Sequence, residues 1–462
     1  MSKESGVLAE NGKSYFKKIL FFAIPLMLTG VLQTLYNAAD LVVVGRFEGE
    51  LALAAVGSTG SLTNLILGLF MGLSVGAGVC VAHSIGAKQD KDVSEILHTS
   101  VLIAIIFGVV VGVIGFFLAP ELLKLMDTPE NVIDKASLYV RIIFIGAPGS
   151  ILYNYCAAML RASGDSKRPL LFLTVSGLIN VGLNVFLVAV LHMGVAGVAV
   201  ATIVSQAASA IMAILYLRKN KGPLRFSFRK LRIHKDKMKK ILIIGIPSGV
   251  QGTLFSLSNV IIQSSVNSFG STVVAGNSAS ANAEGFFYVV YHAFYDCALT
   301  FVGQSAGAKK YGDIKKIVIY SMLNVLIFAV ILTTLGVVFK DFILGLYLPD
   351  NPEAMASASL RYNMIVIPYS LCGLMEIASG ALRGLKRSMS SAIISLIFAC
   401  LLRVVWIATI FKLYPTPECI YITYPISWVL TAAVLLIFVV QAVKKEIALQ
   451  KVLQIQYKNP LP

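Results

Sequence analysis

Residues 17–46 read KKILFFAIPLMLTGVLQTLYNAADLVVVGR, an apolar stretch that carries one carboxylate, Asp40. The stretch exceeds the roughly 20 residues that a helix needs to cross a bilayer. A charged group in hydrocarbon costs about 3 kcal/mol on insertion scales, so this acid indicates a functional position that faces protein or a water-filled cavity. At helical spacing one polar face carries Gln33, Tyr36, Asn37 and Asp40. The alternative is an aspartate buried only to pack helices together.

The composition extends this interpretation to the whole chain. Hydrophobic residues make up 57% of the 462 residues and charged residues 13%, which excludes a soluble globular class. Apolar runs from 18–44 to 419–443 predict an all-α polytopic membrane protein with twelve transmembrane helices. The six cysteines have no metal-ligand spacing, so neither a metal site nor a cofactor is expected.

The net charge of +16 follows the predicted topology. With the N-terminus inside, most of the 39 Lys and Arg lie in inside segments. The outside loops hold only Arg46, Lys124, Lys135, Lys340 and Lys412. This asymmetry predicts a multi-pass protein of the cell membrane with both termini cytoplasmic, and it makes a nucleic-acid partner unnecessary.

A basic segment, RKNKGPLRFSFRKLRIHKDKMKK at residues 218–240, divides the chain. The predicted domains are 1–217 and 241–443, each with six helices, joined by this cytoplasmic linker and followed by a tail at 444–462. The linker either docks on anionic headgroups of the membrane lipid, at about 1 kcal/mol per charge, or is a solvated connector that orients the protein.

The two halves match at a shift of 220 to 222 residues. Pro25 meets Pro247, Asn37 meets Asn259, and SIGAK at 84–88 meets SAGAK at 305–309. Because each repeat has an even number of spans, the halves share one orientation, and a substrate site between them near the membrane midplane is expected. Prolines inside paired spans, at 25, 148, 247 and 368, predict kinks that are either static or bend during transport.

Polar side chains inside the spans form two candidate groups. In the first half, Asn180, Asn184 and Thr202 are positioned to join Asp40 in a cluster that holds a proton or small cation. In the second half the candidates for a substrate cavity are Asn259, Gln263, Glu284, Tyr288 and Glu376. Aromatic rings beside carboxylates suit flat organic cations. Glu284 either binds substrate or pairs within the bundle, and which acid Arg403 neutralises stays open.

No complete catalytic constellation is present. Residues 72–76 match GxSxG, but a nucleophile elbow requires a preceding strand, so close helix packing is the preferred interpretation. The sequence contains neither a Walker A motif nor HExxH. The chain is therefore not expected to be an enzyme.

Several motifs, in order, carry a family resemblance over essentially the whole chain: YNAADLVVVGRF at 36–47, LAAVGS at 53–58, LRASGDSKRP at 160–169 and GVAGVAVAT at 194–202. With these the chain resembles the multidrug and toxic compound extrusion (MATE) transporters. The resemblance implies two six-helix lobes around a central cavity and export of organic, often cationic compounds in exchange for protons or sodium ions.

The resemblance also assigns residues. It implies that Asp40 is the coupling aspartate, that Asn180 and Thr202 are its polar partners, and that Tyr139 lies near them. Asn184 stands where many members have a second aspartate, a departure that removes one negative charge from the site.

The resulting hypothesis is a proton-coupled antiporter whose titrating acid is Asp40 and whose cargo is a small organic compound. One alternative is sodium coupling, and another is a flippase-like exporter of a lipid-linked or peptide precursor. The excess of acids over Lys and Arg inside the spans is unfavourable for the second. A channel is disfavoured because no filter-like segment repeats.

Overall fold

The computed structural model describes residues 12–126, 128–348 and 351–458, and these residues form helices and connecting turns without any β-strand. The helices of the first half are α1 Gly12–Glu48, α2 Glu50–Gly86, α3 Asp90–Leu125, α4 Glu130–Ile145, α5 Ala147–Ala162, α6 Lys167–Asn184 and α7 Gly194–Lys219. Those of the second half are α8 Lys235–Asn267, α9 Ser271–Gly307, α10 Tyr311–Val338, α11 Lys340–Gly345, α12 Pro352–Val366, α13 Ser370–Gly384, α14 Ser388–Ser395, α15 Leu402–Ala408, α16 Ile410–Leu413, α17 Pro417–Tyr421 and α18 Thr423–Lys458.

The predicted number of spans is confirmed. Within the described residues, 11 helical segments are long and apolar enough to cross a membrane, and counting α4 and α5, which meet at a bend of 49°, as one span gives twelve. The bend falls at Gly146, and Pro148 stands in the first turn of α5. Pro148 thus marks a break, as the sequence predicts, because proline lacks the N–H that would continue the helix.

The other prolines behave differently. Pro368 lies in a short 3-10 turn, Ile367–Tyr369, between α12 and α13. The α-helical backbone continues through Pro25 in α1 and through Pro247 in α8. Whether any of these points bends during transport stays a prediction.

The backbone repeats the pattern found in the sequence. Residues with positive φ recur at equivalent places: Gly49 and Gly270, and Lys88 and Lys309, whose φ is 57° in both. The turn at each lysine leads into a helix with an aspartate in its first turn, where the helix dipole favours negative charge. Short π-helical segments, Val185–Val190 and Leu396–Leu401, also follow α6 and α14, but they lie outside the register of the repeat.

The chain forms two compact units. Leu28–Thr253 is one, called here the N-terminal unit; the described residues up to Met27 group with those from Leu254 onward in the C-terminal unit. In the C-terminal unit Tyr15, Ile19 and Phe22 enter the same buried cluster as Phe294 and Phe301. The grouping therefore divides both α1 and α8. The boundaries predicted from the sequence keep α1 in one domain and place the first residues of α8, up to Lys240, in the linker.

Candidate functional site

Asp40 lies in α1 inside the N-terminal unit, with a relative exposure of 8%. The side-chain amide of Asn184 donates a hydrogen bond to its Oδ1. The hydroxyl of Thr202 lies 3.3 Å from its Oδ2. Helices α1, α6 and α7 thus bring together residues separated by about 140 to 160 positions in the chain, the grouping that the polar pattern predicts.

The hydrogen bonds around Asp40 leave spare acceptor capacity. Thr202 has one hydroxyl hydrogen and a shorter contact, 2.9 Å, with the carbonyl of Val198, so it cannot serve both acceptors fully. Asn184 Nδ2 also contacts Asn180 Oδ1 at 3.2 Å, while Asn184 Oδ1 is buried without a hydrogen-bond partner. Asn184 Oδ1 and Asp40 Oδ2 are therefore oxygen atoms that can still interact with a proton or a small cation.

No ion pair within the described part of the chain balances the negative charge of Asp40. No Lys, Arg or His of these residues lies within 4.0 Å of its carboxylate. An isolated carboxylate at low dielectric is costly, and no ion pair among the described residues offsets that cost at Asp40.

A small polar cavity opens beside Asp40. Its volume is about 130 Å³, room for roughly four waters at about 30 Å³ each and less than the roughly 300 Å³ of the smallest drug-sized pockets. The cavity is lined by Thr29, Gln33, Tyr36, Asn37, Asp40, Ser150, Tyr153, Asn154, Arg161, Leu173, Ser176, Gly177, Asn180, Thr202, Ser205, Gln206 and Ser209. The predicted stripe on α1 does face this space.

The polar pattern in the sequence identified Thr202 on α7 but not the other lining residues of α7, nor those of α5. Ser150, Tyr153 and Asn154 recur at i, i+3 and i+4, the same periodicity that identified the stripe on α1. A count of polar positions in every span would have found them.

Tyr36 lines the cavity, whereas Tyr139 is not among the lining residues. The Tyr36 hydroxyl contacts the Thr174 carbonyl at 3.4 Å, and its ring fills the space that a Cβ atom on Gly177 would need. Tyr139 packs against an apolar cluster that includes Val44 and Val198. The lack of a side chain at Gly177 is what admits the Tyr36 ring.

Glu284, in the C-terminal unit, is neutralised within the helix bundle. Arg361 donates to its two oxygens at 3.0 and 2.8 Å, and Ser280 adds a contact of 2.7 Å. Arg361 also donates to Asn277 at 2.7 Å. All four side chains are buried. The sequence left open whether Glu284 binds substrate or pairs within the bundle, and the structure shows it paired with Arg361.

Polar residues of α8 extend this network. Asn277 donates to Gln263 Oε1 at 2.9 Å, and Gln263 donates to Asn267 at 2.8 Å. Asn259 is exposed on the same helix. Nothing in the local sequence indicates that Glu284 pairs with Arg361, 77 positions away.

Glu376 and Tyr288 meet at His292. The Nδ1 atom of His292 lies 3.6 Å from Glu376 Oε2, and its ring stacks on Tyr288 and Tyr295 with centroid distances of 5.6 and 4.9 Å. Tyr288 is 41% exposed. This group combines an accessible aromatic ring with a carboxylate.

Arg403 does not neutralise any acid among the described residues. It is buried, donates to Ser427 at 2.9 Å, and its guanidinium lies 4.3 Å from the centroid of the Tyr424 ring. A cation–π contact therefore takes the place of the ion pair that the sequence left open.

The GxSxG match serves helix packing. A Cβ atom built on Gly72 would overlap the backbone of Gly249, and one on Gly76 would overlap the carbonyl of Ile241. The two glycines let α2 and α8 approach closely within the N-terminal unit.

Comparison with known proteins agrees with this architecture. The MatE family model matches residues 25–186 and again 247–409, once in each half. The Probable multidrug resistance protein YoeA of Bacillus subtilis is 30% identical over 403 residues, covering 86% of this chain and 87% of the relative. The Probable multidrug resistance protein YpnP of the same organism is 28% identical over 390 residues, covering 84% and 86%.

The fold also matches solved structures. A MOP superfamily transporter from Pyrococcus furiosus superposes with a TM-score of 0.89 at 20% identity, over 96% of this chain and 99% of that one. At that identity the match establishes the fold alone. The predicted membrane fold is thus confirmed, and the relatives are transporters and not enzymes.

Proposed function

Because the chain belongs to the MATE family of multidrug efflux transporters, we propose that it exports organic, cationic or aromatic compounds in exchange for protons that bind at Asp40. One observation carries the proposal: Asp40 is a buried carboxylate without an ion-pair partner among the described residues, whereas buried Glu284 has Arg361. Asp40 is the acid whose charge an incoming proton can remove.

Protonation would change the contacts between three helices. The carboxylate of Asp40 accepts from Asn184 on α6 and Thr202 on α7; the neutral acid has one O–H donor and weaker acceptors. The two forms therefore favour different arrangements of α1, α6 and α7. A proton shifts such an equilibrium through its differential affinity for the two states.

The proposed substrate contacts combine aromatic rings with negative charge. Tyr36 supplies a ring beside the Asp40 cavity, and Tyr288 with Glu376 supplies both features in the C-terminal unit. We assign Glu284 to its pair with Arg361. At about 130 Å³ the Asp40 cavity has room for water and an ion but not for a drug-sized compound, which requires a wider conformation.

Sodium coupling is the second candidate function. The buried, unpartnered Oδ1 of Asn184 next to Asp40 favours sodium coupling, because oxygen atoms are the ligands that hard cations prefer.

The proposed location is the cell membrane with both termini cytoplasmic. The asymmetry of Lys and Arg between the loops supports this orientation.

Transport in proteoliposomes tests the proposal. A pH gradient or a sodium gradient is imposed separately, and movement of a fluorescent organic cation is followed for wild type, Asp40→Asn and the control Glu121→Gln, an exposed acid paired with Lys124. We expect proton-driven movement that Asp40→Asn abolishes and the control retains. Full proton-driven movement in Asp40→Asn would refute the assignment, and movement under sodium alone would replace the proton with sodium.

A further inference from the structure

The basic linker is folded against the start of α3. Leu224 and Phe226 are buried at 3% and 2% exposure. The Phe226 ring stacks on His98 of α3, with a centroid distance of 5.5 Å and an interplanar angle of 17°. A solvated connector, the second interpretation that the sequence allowed, would not bury these side chains.

Side chains of α3 hold the backbone of the linker. Ser227 N–H donates to His98 Nε2 at 3.0 Å, and the other ring nitrogen lies 2.7 Å from the Ser94 carbonyl. His234 N–H donates to Thr99 Oγ1 at 3.1 Å. Lys237 then pairs with Asp92 at 2.8 Å. The linker is therefore fixed at both ends of the segment 227–237.

The fixed linker lines a half-open cationic cavity of about 1150 Å³. Six cationic side chains line it: Lys91, Arg218, Arg225, Arg229, Lys230 and Arg232. The carboxylates in the lining are Asp90 and Glu95, and Glu95 lies 3.6 Å from Lys237.

Most of these cations are not in ion pairs with the described residues. Within the described parts of the chain, Lys91, Arg225, Arg229 and Lys230 form no ion pair with a carboxylate. Several unpaired cations held by a folded backbone repel one another, and an anion placed between them relieves that repulsion.

We propose that this cavity binds the phosphate-bearing headgroup of an anionic membrane lipid. It lies where α7 ends, at Lys219, and where α3 begins, at Asp90, so it opens at the ends of two predicted spans. Guanidinium groups match phosphate oxygens with paired hydrogen bonds. Phe228, which is 62% exposed and lies 6.0 Å from the Arg218 guanidinium, also lines the cavity and supplies an aromatic side chain of the kind enriched at membrane interfaces.

Lipid titration of two matched variants tests the site. Purified full-length protein in detergent is titrated with dioleoyl phosphatidylglycerol, and bound lipid is counted by native mass spectrometry. The cavity variant is Arg225→Gln/Arg229→Gln/Lys230→Gln. The control is Lys235→Gln/Lys239→Gln/Lys240→Gln, which removes the same charge from exposed lysines of the same segment outside the cavity.

The cavity variant is expected to bind phosphatidylglycerol roughly a hundredfold more weakly, since each cation near an anionic surface contributes roughly fivefold. The affinity of the control variant for phosphatidylglycerol should fall less than fivefold. Dioleoyl phosphatidylcholine should bind weakly to wild type and to both variants. If the cavity variant aggregates, the single substitution Arg229→Gln, at an exposed position, should weaken phosphatidylglycerol binding roughly fivefold.

Equal losses in the two triple variants would overturn the proposal, because they would indicate general attraction to a basic segment. Unchanged binding in the cavity variant would overturn it as well. A parallel titration with ATP separates the lipid from a soluble phosphate: ATP bound by wild type and lost in the cavity variant, with lipid binding retained, would refute the lipid as occupant.

Discussion

Replacing Arg361 by Met is expected to destabilise the protein strongly, by about 3–5 kcal/mol, the usual cost of breaking a buried pair from one side. The substitution removes both guanidinium donors from Glu284, whose side chain is 8% exposed, and leaves it the Ser280 hydroxyl. It also removes the donor to Asn277 Oδ1.

Glu284→Met should cost less than Arg361→Met. After the glutamate is removed, Arg361 still donates to Asn277, and its guanidinium still lies 5.5 and 5.6 Å from the ring centroids of Tyr421 and Tyr424. Desolvated cation–π contacts of this kind contribute about 2 kcal/mol each. The double variant should recover part of the loss, because no buried charge is then left unpaired.

Thermal unfolding in detergent, followed by intrinsic fluorescence, measures this cycle. A loss of 3–5 kcal/mol corresponds to a decrease in Tm of the order of 10 °C for a unit of about 200 residues. The control is Lys124→Met. It breaks the ion pair between Lys124 and Glu121, whose charged atoms are 3.2 Å apart and whose side chains are 61% and 66% exposed. This change should alter stability by less than about 1 kcal/mol.

Two outcomes would refute the reasoning. The first is a decrease in Tm for Arg361→Met no larger than that of the Lys124→Met control. The second is a double variant whose decrease equals the sum of the two single decreases, since independent sites add and coupled ones do not.

Two further predictions concern the Asp40 cavity. Asn184→Asp adds a carboxylate to the site. Because two carboxylates at close range favour binding of a cation, transport by this variant should become dependent on a sodium gradient. Transport that stays insensitive to sodium would contradict this prediction. Gly177→Ala introduces a Cβ atom where the Tyr36 ring lies, so Tyr36 must leave its position and the KM for an aromatic cation should rise several-fold. The matched control is Gly182→Ala on the same helix, where a Cβ atom would meet nothing within 4 Å, and an equal rise in both variants would show that the effect is not due to Tyr36.

The two halves share a backbone pattern but differ in chemistry. At the repeat shift of 222 residues, which aligns Pro25 with Pro247, Asp40 corresponds to Ile262, a buried apolar residue. The C-terminal unit instead contains Glu284 paired with Arg361. The duplication therefore supplies two similar scaffolds, and only the N-terminal unit has an unpaired buried acid on its first span among the described residues.

The sequence by itself determined the spans, the repeat and the position of Asp40. These depend on local properties: the length of an apolar run, the spacing of polar residues along one helix, and the cost of a charge in hydrocarbon. The cluster of Asp40 with Asn184 and Thr202 was also predictable, because each is a polar residue inside a span of the same half.

Only the tertiary structure decided how distant helices pair. The partner of Glu284 is 77 positions away. The division of α1 at Met27 arises because Tyr15 and Ile19 pack into the core of the C-terminal unit. The linker forms a cavity only because its backbone folds onto His98. The physical reason is that apolar helix faces are nearly equivalent in lipid, so rotation and register are fixed by close packing and a few polar contacts between residues remote in the chain.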